Sequence, residues 1–176
     1  DSIIMFNTYD ALVDEVKNGG GIGPLLASGW EYKDSNTLNV SLRDGVKFHS
    51  GNILDADDVV YSFNRLMDMG QGFSFLFGSV DSVTALDSKT VQIKTKEPFA
   101  PLVASLMRLA IVDKDDVEAH TVDGNYGDNG DYGEAYLLTT SAGTGAYKIT
   151  QHDPNVKTIL TKNNDYFLGH NPKAPD

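Results

Sequence analysis

The segment Leu54-Asp55-Ala56-Asp57-Asp58-Val59 carries the strongest local signal in the sequence. Asp55 is a favourable N-cap because its carboxylate can accept hydrogen bonds from the free N–H groups of a first helical turn. Asp58 lies within that turn, where the helix dipole favours an anion. Leu54 and Val59 have the spacing of a hydrophobic staple. The segment therefore predicts a helix that starts after Asp55, buries one apolar stripe and ends at Gly70.

Alternating apolar and polar residues predict paired strands on both sides of this helix. Upstream, the alternation runs from Trp30 to Leu42 around a turn, and Val46-Lys47-Phe48 continues it as a third short strand. Downstream, the pattern predicts two hairpins, with strands at 80–86, 90–95, 146–152 and 156–162. The resulting class is α+β, with a mostly antiparallel mixed sheet and segregated helices.

The remaining segments give shorter predictions. Helical spacing predicts a helix from Ile3 to Val16, followed by a glycine-rich connecting loop at Gly19–Pro24. Short helices are predicted at 102–108 and 115–120, a short helix or turn at the aromatic run 73–77, and a strand at 109–112. Residues 123–133 are rich in Gly, Asn and Asp, which is typical of a loop.

Composition excludes several classes of function. The chain has 176 residues, 40% of them hydrophobic, and a formal charge of −11 from 14 Lys and Arg against 25 Asp and Glu. An acidic chain is a poor partner for nucleic acid, whose phosphates select basic surfaces. There is no cysteine, so thiolate chemistry and disulfides are excluded. The chain starts inside an apolar run, without an initiator Met at position 1 and without the features of a signal peptide, which suggests a piece of a longer protein.

No motif indicates catalysis or a resident metal. The sequence contains no nucleophile elbow, and none of the four histidines has the spacing of a metal-binding pair, so each is predicted to be a surface or turn residue. We therefore expect a protein that is not an enzyme, with no catalytic residues and no cofactor.

The acidic loop 123–134 has the length of the calcium-binding loop of an EF-hand. Asp123, Asn125 and Glu134 fall at ligand positions 1, 3 and 12 of such a loop. However, Gly127 has no side chain for position 5, and Asp128 replaces the glycine required at position 6. The loop is predicted to be solvated and free of metal, and a calcium-stabilised structural domain remains as an alternative.

Arg108 is the candidate for recognition of an anion. It ends a short apolar helix and precedes an apolar segment, where a guanidinium is costly unless it is paired. A carboxylate from the protein or from a ligand could be its partner. A second interpretation is an arginine that complements the dipole at the end of a helix. The nearby Phe73, Phe75 and Phe77 fit either a core cluster or a pocket wall.

Several blocks together resemble one family. They are Pro24-Leu25-Leu26-Ala27-Ser28-Gly29-Trp30-Glu31, Leu42-Arg43-Asp44-Gly45-Val46-Lys47-Phe48-His49-Ser50-Gly51, Ala56-Asp57-Asp58-Val59-Val60-Tyr61-Ser62-Phe63, Gly143-Thr144-Gly145-Ala146-Tyr147-Lys148 and Asn163-Asn164-Asp165-Tyr166-Phe167-Leu168-Gly169. In this order they resemble the extracellular solute-binding proteins of family 5, the oligopeptide, dipeptide and nickel class. Ala146 stands where the family usually has Pro, and Phe167 where Trp is common.

The resemblance implies a two-lobed architecture of the type II periplasmic binding proteins. Residues 1–176 would form a single fragment of the N-terminal lobe, its extra subdomain plus flanking strands, without the second lobe and hinge. The implied location is the periplasm or the outer face of the cell membrane, either free or lipid-anchored.

The resemblance also implies a function. The protein would be the substrate-binding component of an ABC importer, a monomer that captures peptides and delivers them to the permease. The same scaffold also carries nickel and other small solutes, which leaves the solute open. The ligand-binding residues suggested by the resemblance are Ile4, Phe73 and Arg108.

Overall fold

The computed structural model describes residues 2–173 and 175. The chain divides into two compact units. Unit 1 comprises the residues up to 10, residues 45–54 and the residues from 112 onward, and unit 2 comprises residues 11–44 and 55–111. In the described part of the chain, no helix combines the length and apolar character needed to cross a membrane.

The regular elements are short. The strands are β1 Val13–Glu15, β2 Ile22–Pro24, β3 Ala27–Asp34, β4 Thr37–Leu42, β5 Val80–Asp87, β6 Thr90–Thr95, β7 Tyr147–Asp153 and β8 Lys157–Lys162. The α-helices are α1 Ser2–Thr8, α2 Ala56–Met69, α3 Leu102–Ser105, α4 Lys114–Ala119 and α5 Glu134–Leu137. Turns of 3-10 helix cover Ser74–Phe77, Leu106–Arg108 and Gly127–Asn129.

Unit 2 is built on a four-stranded antiparallel sheet with the strand order β3-β4-β6-β5. Leu38 pairs with Ile93 and Val40 with Val91, so these four buried side chains share one face. Helix α2 packs on β5 and β6. The alternation of apolar and polar residues therefore predicted both the strands and their buried face, because side chains alternate across a strand.

The capping of α2 is confirmed in detail. The Asp55 carboxylate accepts hydrogen bonds from the backbone N–H of Asp57 at 2.9 Å and of Asp58 at 3.3 Å. The Asp58 carboxylate accepts in return from the backbone N–H of Asp55 at 2.9 Å. At the other end, Gly70 takes the left-handed conformation, with φ of 62°, that a glycine C-cap provides.

Unit 1 contains the antiparallel hairpin β7–β8 and the short helices α1, α4 and α5. Its loop 45–54 is attached to the start of α4 through the buried carboxylate of Asp113. That carboxylate accepts hydrogen bonds from the Ser50 hydroxyl and the Asn52 side-chain amide, and it caps α4 through the backbone N–H of Asp116. Polar side chains thus join segments of unit 1 that are far apart in sequence.

The predicted N-terminal helix is wrong beyond Thr8. Val13–Glu15 forms β1, which pairs antiparallel with β2, so part of the predicted loop Gly19–Pro24 is a strand. Leu12 and Val13 are buried. Their apolar side chains matched a helical spacing, but the backbone of β1 gains its hydrogen bonds from β2, which local spacing does not reveal.

Two other predictions need correction, and one helix was not predicted. Val46–Phe48 has only an isolated bridge between Lys47 and Ile53, and 109–112 is buried but forms no strand. In both places the apolar residues are needed for the core, and no ladder partner is present along the described chain. Helix α5 was missed because its signal is a single turn inside a glycine-rich stretch.

Candidate functional site

Phe73 and Arg108 lie together in unit 2. The Cζ atom of Arg108 is 5.2 Å from the centroid of the Phe73 ring, which is the geometry of a cation–π contact. The rings of Phe73 and Phe75 are 6.5 Å apart. The structure thus brings together two of the residues predicted for the site, although 35 positions separate them in the sequence.

Buried neighbours along the chain hold this pair in place. Phe73 immediately precedes the 3-10 turn Ser74–Phe77, whose last residue is fully buried and packs edge-to-face on Phe63 of α2 at 5.7 Å. Arg108 ends the 3-10 turn that starts at buried Leu106. Each of the two candidate side chains therefore projects from a short turn anchored by an apolar residue, so its position depends on the core of unit 2.

The aromatic run divides into a core residue and surface residues. Phe77 has no exposed surface, whereas Phe73 is 40% exposed and Phe75 is 73% exposed. The sequence allowed either a core cluster or a pocket wall, and the structure shows one residue in the core and two on the surface. Exposed aromatic rings beside a cation form a surface that can receive a ligand with both apolar and anionic groups.

The Arg108 guanidinium is available to an anion. Arg108 is exposed, and no carboxylate within the described residues lies within 4.0 Å of its guanidinium. Contact with Phe73 leaves the N–H groups at the edge of the guanidinium free to donate to a planar carboxylate. Among the described residues, the side chain is therefore oriented by an aromatic ring rather than by an acidic partner.

Ile4 lies in unit 1, on helix α1, and is partly buried. Its neighbours on this helix are strongly exposed: Ile3 and Phe6 at 70% and Met5 at 47%. The apolar run had indicated a helix, and the exposure of these side chains was not predicted. Since an exposed apolar cluster commonly marks an interaction surface, α1 is a candidate surface in unit 1. A role for Ile4 in ligand binding stays a prediction.

In the acidic loop 123–134, the carboxylate of Asp131 is bound by backbone N–H groups of the protein itself. Asp131 accepts hydrogen bonds from the backbone N–H groups of Ala135 at 3.0 Å, Val122 at 3.1 Å and Gly133 at 2.8 Å. The bond from Ala135 is the largest cause that lowers the pKa of this carboxyl, with the other two acting in the same direction against the effect of burial. Within residues 2–173 and 175, no group of three or more acidic or histidine side chains is arranged to hold a metal ion.

The outer face of the sheet in unit 2 carries a shallow depression that the sequence did not indicate. It encloses about 430 Å³ and is lined mainly by polar residues, among them Glu31, Asn39, Ser41 and Thr90. Gly29, on the edge strand β3, leaves the space open where a side chain would stand. The depression contains neither Phe73 nor Arg108, so it is separate from the predicted site.

Comparison with known families and proteins gives a consistent assignment. The model of the family described as bacterial extracellular solute-binding proteins, family 5 Middle, matches residues 21–175. The probable D,D-dipeptide-binding periplasmic protein DdpA of Escherichia coli (strain K12) is 27% identical over 98% of this chain and 33% of its own length. The nickel-binding protein NikA of Staphylococcus aureus is 26% identical over 85% of this chain and 27% of its own length.

A solved structure shares the fold. The ABC transporter-associated periplasmic binding protein DppA from Helicobacter pylori, in complex with the peptide STSA, superposes with a TM-score of 0.73. It is 30% identical and covers 92% of this chain and 34% of its own. The predicted α+β class, as part of the type II periplasmic-binding-protein architecture, is confirmed.

These relatives are much longer than the chain, which spans about a third of the length of the Escherichia coli protein DdpA and of the Helicobacter pylori protein. They are binding proteins of transport systems rather than enzymes. The match of the family model over residues 21–175 covers most of the 176 residues and includes all five blocks that carry the resemblance in the sequence. The chain therefore belongs to the bacterial extracellular solute-binding proteins of family 5.

Proposed function

We propose that the whole protein is the solute-binding component of an ABC importer and that it captures peptides outside the membrane for delivery to a permease. Its location would be the periplasm or the outer face of the membrane. Membership of the family supports a role in solute binding. The names of the Escherichia coli relative and of the Helicobacter pylori structure support a peptide as the solute.

The observation that carries the proposal is the exposed guanidinium of Arg108, which lies over the Phe73 ring and has no carboxylate partner among the described residues. A free peptide ends in a carboxylate and usually carries apolar side chains. The guanidinium can bind the carboxylate through two parallel N–H···O bonds, while Phe73 and Phe75 contact the apolar part. This arrangement selects for a small anionic or zwitterionic solute over a neutral one.

We further infer that the chain is part of the N-terminal lobe of a two-lobed protein. The support is its coverage, since it matches about a third of each relative. The solute would then shift the protein from an open to a closed state of the two lobes. The size of this shift depends on how much more tightly the closed state binds the solute than the open state does.

Native mass spectrometry of the whole protein, purified without denaturation, tests the choice of solute. We expect a set of bound masses that match short peptides. A protein that carries no peptide after purification and binds no di-, tri- or tetrapeptide added to it would contradict the proposal.

The role of Arg108 can be tested with the tetrapeptide Ser-Thr-Ser-Ala and its C-terminal amide. Arg108→Ala should weaken binding of the free acid at least about tenfold, because a hydrogen bond to a charged group is lost. The unchanged protein should bind the C-terminal amide more weakly than the free acid by about the same factor. Arg108→Ala should weaken binding of the amide little further, since both changes remove the same interaction.

Two variants control this experiment. Arg108→Lys should lose part of the affinity, because lysine keeps the charge but not the planar pair of donors. Lys94→Ala removes one positive charge from an exposed position on β6 in the same unit, so it should leave the affinity unchanged. Equal losses in Lys94→Ala and Arg108→Ala would indicate a general effect of charge and contradict a specific contact.

A nickel complex is the second candidate solute, supported by the relative from Staphylococcus aureus. A chelate with carboxylate groups would offer the same anion to Arg108. In the mass spectrum it would appear as one sharp adduct with the isotope pattern of nickel, in place of a set of peptides.

A further inference from the structure

The segment Ser141-Ala142-Gly143-Thr144-Gly145 is the most completely buried stretch of unit 1, since all five of its residues are buried. It is not part of a helix or strand. It lies against residues 7–10, which include the end of α1 and the two residues after it. Small residues, two of them with hydroxyl groups, occupy a place where larger apolar side chains would normally fill a core. The close approach of the backbone is therefore the feature to explain.

Backbone contact is possible there only because of the two glycines. A Cβ atom at Gly143 would stand 2.1 Å from the carbonyl oxygen of Thr8, and one at Gly145 would stand 2.5 Å from the carbonyl oxygen of Asn7. The close approach permits the N–H of Gly145 to donate to the carbonyl of Thr8 at 3.1 Å. Any side chain at these positions would push the end of α1 away.

Two side chains add specific bonds to this contact. The Thr144 hydroxyl donates to the carboxylate of Asp10 at 2.7 Å, and the backbone N–H of Ala142 donates to the Tyr9 hydroxyl at 3.3 Å. Thr144 is fully buried, so its hydroxyl has a defined partner rather than water. The segment thus holds every residue from Asn7 to Asp10 by a bond or a close contact.

The opposite side of the segment is held by His49 and Asn163. The Nε2 atom of His49 is 3.0 Å from the carbonyl oxygen of Gly145, and its Nδ1 atom is 2.9 Å from the Ser141 hydroxyl. The side-chain amide of Asn163 donates to the same Gly145 carbonyl at 3.0 Å. The segment is therefore fixed at both ends by unit 1 itself and can act as a rigid support.

We propose that residues 141–145 are a positioning clamp that fixes the orientation of α1, and with it Ile4 and the exposed apolar side chains of that helix, for contact with the solute. The part about the solute rests on the proposed function. The clamp itself does not, because it is defined by contacts within unit 1. None of its residues was predicted to bind the ligand, so its effect on affinity would be transmitted through α1.

Hydrogen exchange of the whole protein without solute tests the clamp directly. The reporter is a peptide covering residues 5–10, which includes the N–H of Tyr9, bonded to the carbonyl of Met5. Thr144→Val keeps the shape but removes the bond to Asp10, so exchange in this peptide should become at least about tenfold faster. Thr144→Ser restores a hydroxyl and should return exchange towards the original rate, while β3–β6 should not change in either variant.

Glycine variants provide an independent arm. Gly145→Ala should loosen residues 5–10 as Thr144→Val does, because its methyl group would overlap the backbone of α1. Gly29→Ala is the matched control, since a Cβ atom there meets nothing within 4 Å. If Gly145→Ala does not fold, the comparison of Thr144→Val with Thr144→Ser still tests the clamp. Unchanged exchange at residues 5–10 in Thr144→Val would overturn the clamp.

Binding of Ser-Thr-Ser-Ala separates the two proposals. If the unchanged protein binds the tetrapeptide, Thr144→Val should bind it at least about tenfold more weakly and Thr144→Ser nearly as well as the original. Faster exchange with unchanged affinity would overturn the link from the clamp to the solute. If the unchanged protein binds no peptide at all, the proposed function fails, and the exchange experiment still decides on the clamp.

Discussion

The two units of this molecule are stabilised in different ways. Among the described residues, unit 2 contains 19 of the buried hydrophobic residues and 5 of the buried polar ones, whereas unit 1 contains 7 and 6. Unit 2 is therefore held by apolar side chains on a sheet and a helix. Unit 1 depends far more on hydrogen bonds between segments, which are directional and lose their value when one partner is removed.

The difference explains where the functional candidates lie. In unit 2, Phe73 and Arg108 project from turns that are anchored in an apolar core, so the site can be rigid without any polar network of its own. In unit 1, helix α1 has much of its apolar surface exposed and is held by the polar segment 141–145. The comparison predicts that the two units respond to different substitutions.

The largest effect is expected in the core of unit 2. Ile93 is 2% exposed at the centre of the sheet, so Ile93→Ala should lower the free energy of unfolding by about 2–5 kcal/mol through lost burial and the cavity left behind. Urea unfolding measures this change. Val156→Ala is the control, since Val156 is 79% exposed and its truncation should cost less than about 0.5 kcal/mol. Similar losses in both variants would contradict an apolar origin of stability in unit 2.

A buried carboxylate tests the polar character of unit 1. Asp113→Asn keeps the shape of the side chain but removes the charge that receives the Ser50 hydroxyl, the Asn52 amide and the N–H of Asp116. We expect a loss of about 1–3 kcal/mol in the same urea experiment, because buried donors lose their acceptor. The exposed neighbour Asp115 serves as the control, and Asp115→Asn should have little effect. A neutral result for Asp113→Asn would show that unit 1 does not depend on this network.

The smallest effect is a dependence on pH that originates at His49. Burial lowers the pKa of this imidazole below its ordinary value of 6.5, and Lys148 on β7 acts in the same direction, against the hydrogen bonds to Gly145 and Ser141. Between the lowered pKa and 6.5 the unfolded chain binds more protons than the folded one. Stability from His49 is therefore complete above pH 6.5 and declines as the pH falls through the lowered pKa.

Unfolding midpoints measured between pH 5 and pH 8 in the original protein and in His49→Gln reveal this contribution. The difference in stability between the two should shrink as the pH falls. His152→Gln is the comparison at a histidine bonded to Thr158 in the β7–β8 hairpin. A difference between the original protein and His49→Gln that stays constant over this range would contradict the assignment to His49.

The parts of the fold that were predictable have local causes. The cap at Asp55, the stop at Gly70 and the alternation in β3 to β6 each depend on residues within one turn or one strand. The prediction of a helix up to Val16 was wrong for the opposite reason, because the decisive contacts are not local. Apolar spacing at Leu12 and Val13 fits a helix, but the hydrogen bonds of this backbone lie with β2 in the structure.

The site was only partly accessible from the sequence. Arg108 was singled out from its position after an apolar helix, and the family resemblance suggested it together with Phe73. Their contact at 5.2 Å is a result of the structure. The exposure of Ile3 and Phe6 on α1 and the role of residues 141–145 had no local signal. Thr144 and Asp10 are 134 positions apart, and His49 and Gly145 are 96 apart, so no periodicity connects them.

The amino-acid sequence by itself determined helix α2 and the strands β3 to β6 of unit 2, the acidic character of the chain and its family. The secondary structure follows from capping and side-chain alternation, which depend on residues close together in the sequence. The family follows from blocks of residues that occur in a fixed order along the chain. Only the tertiary structure decided that the partner of the Arg108 guanidinium, among the described residues, is an aromatic ring and not a carboxylate, and that two glycines let a buried segment reach the backbone of α1. The physical reason is that such contacts depend on the distance between atoms remote in the sequence, and folding of the whole chain sets that distance.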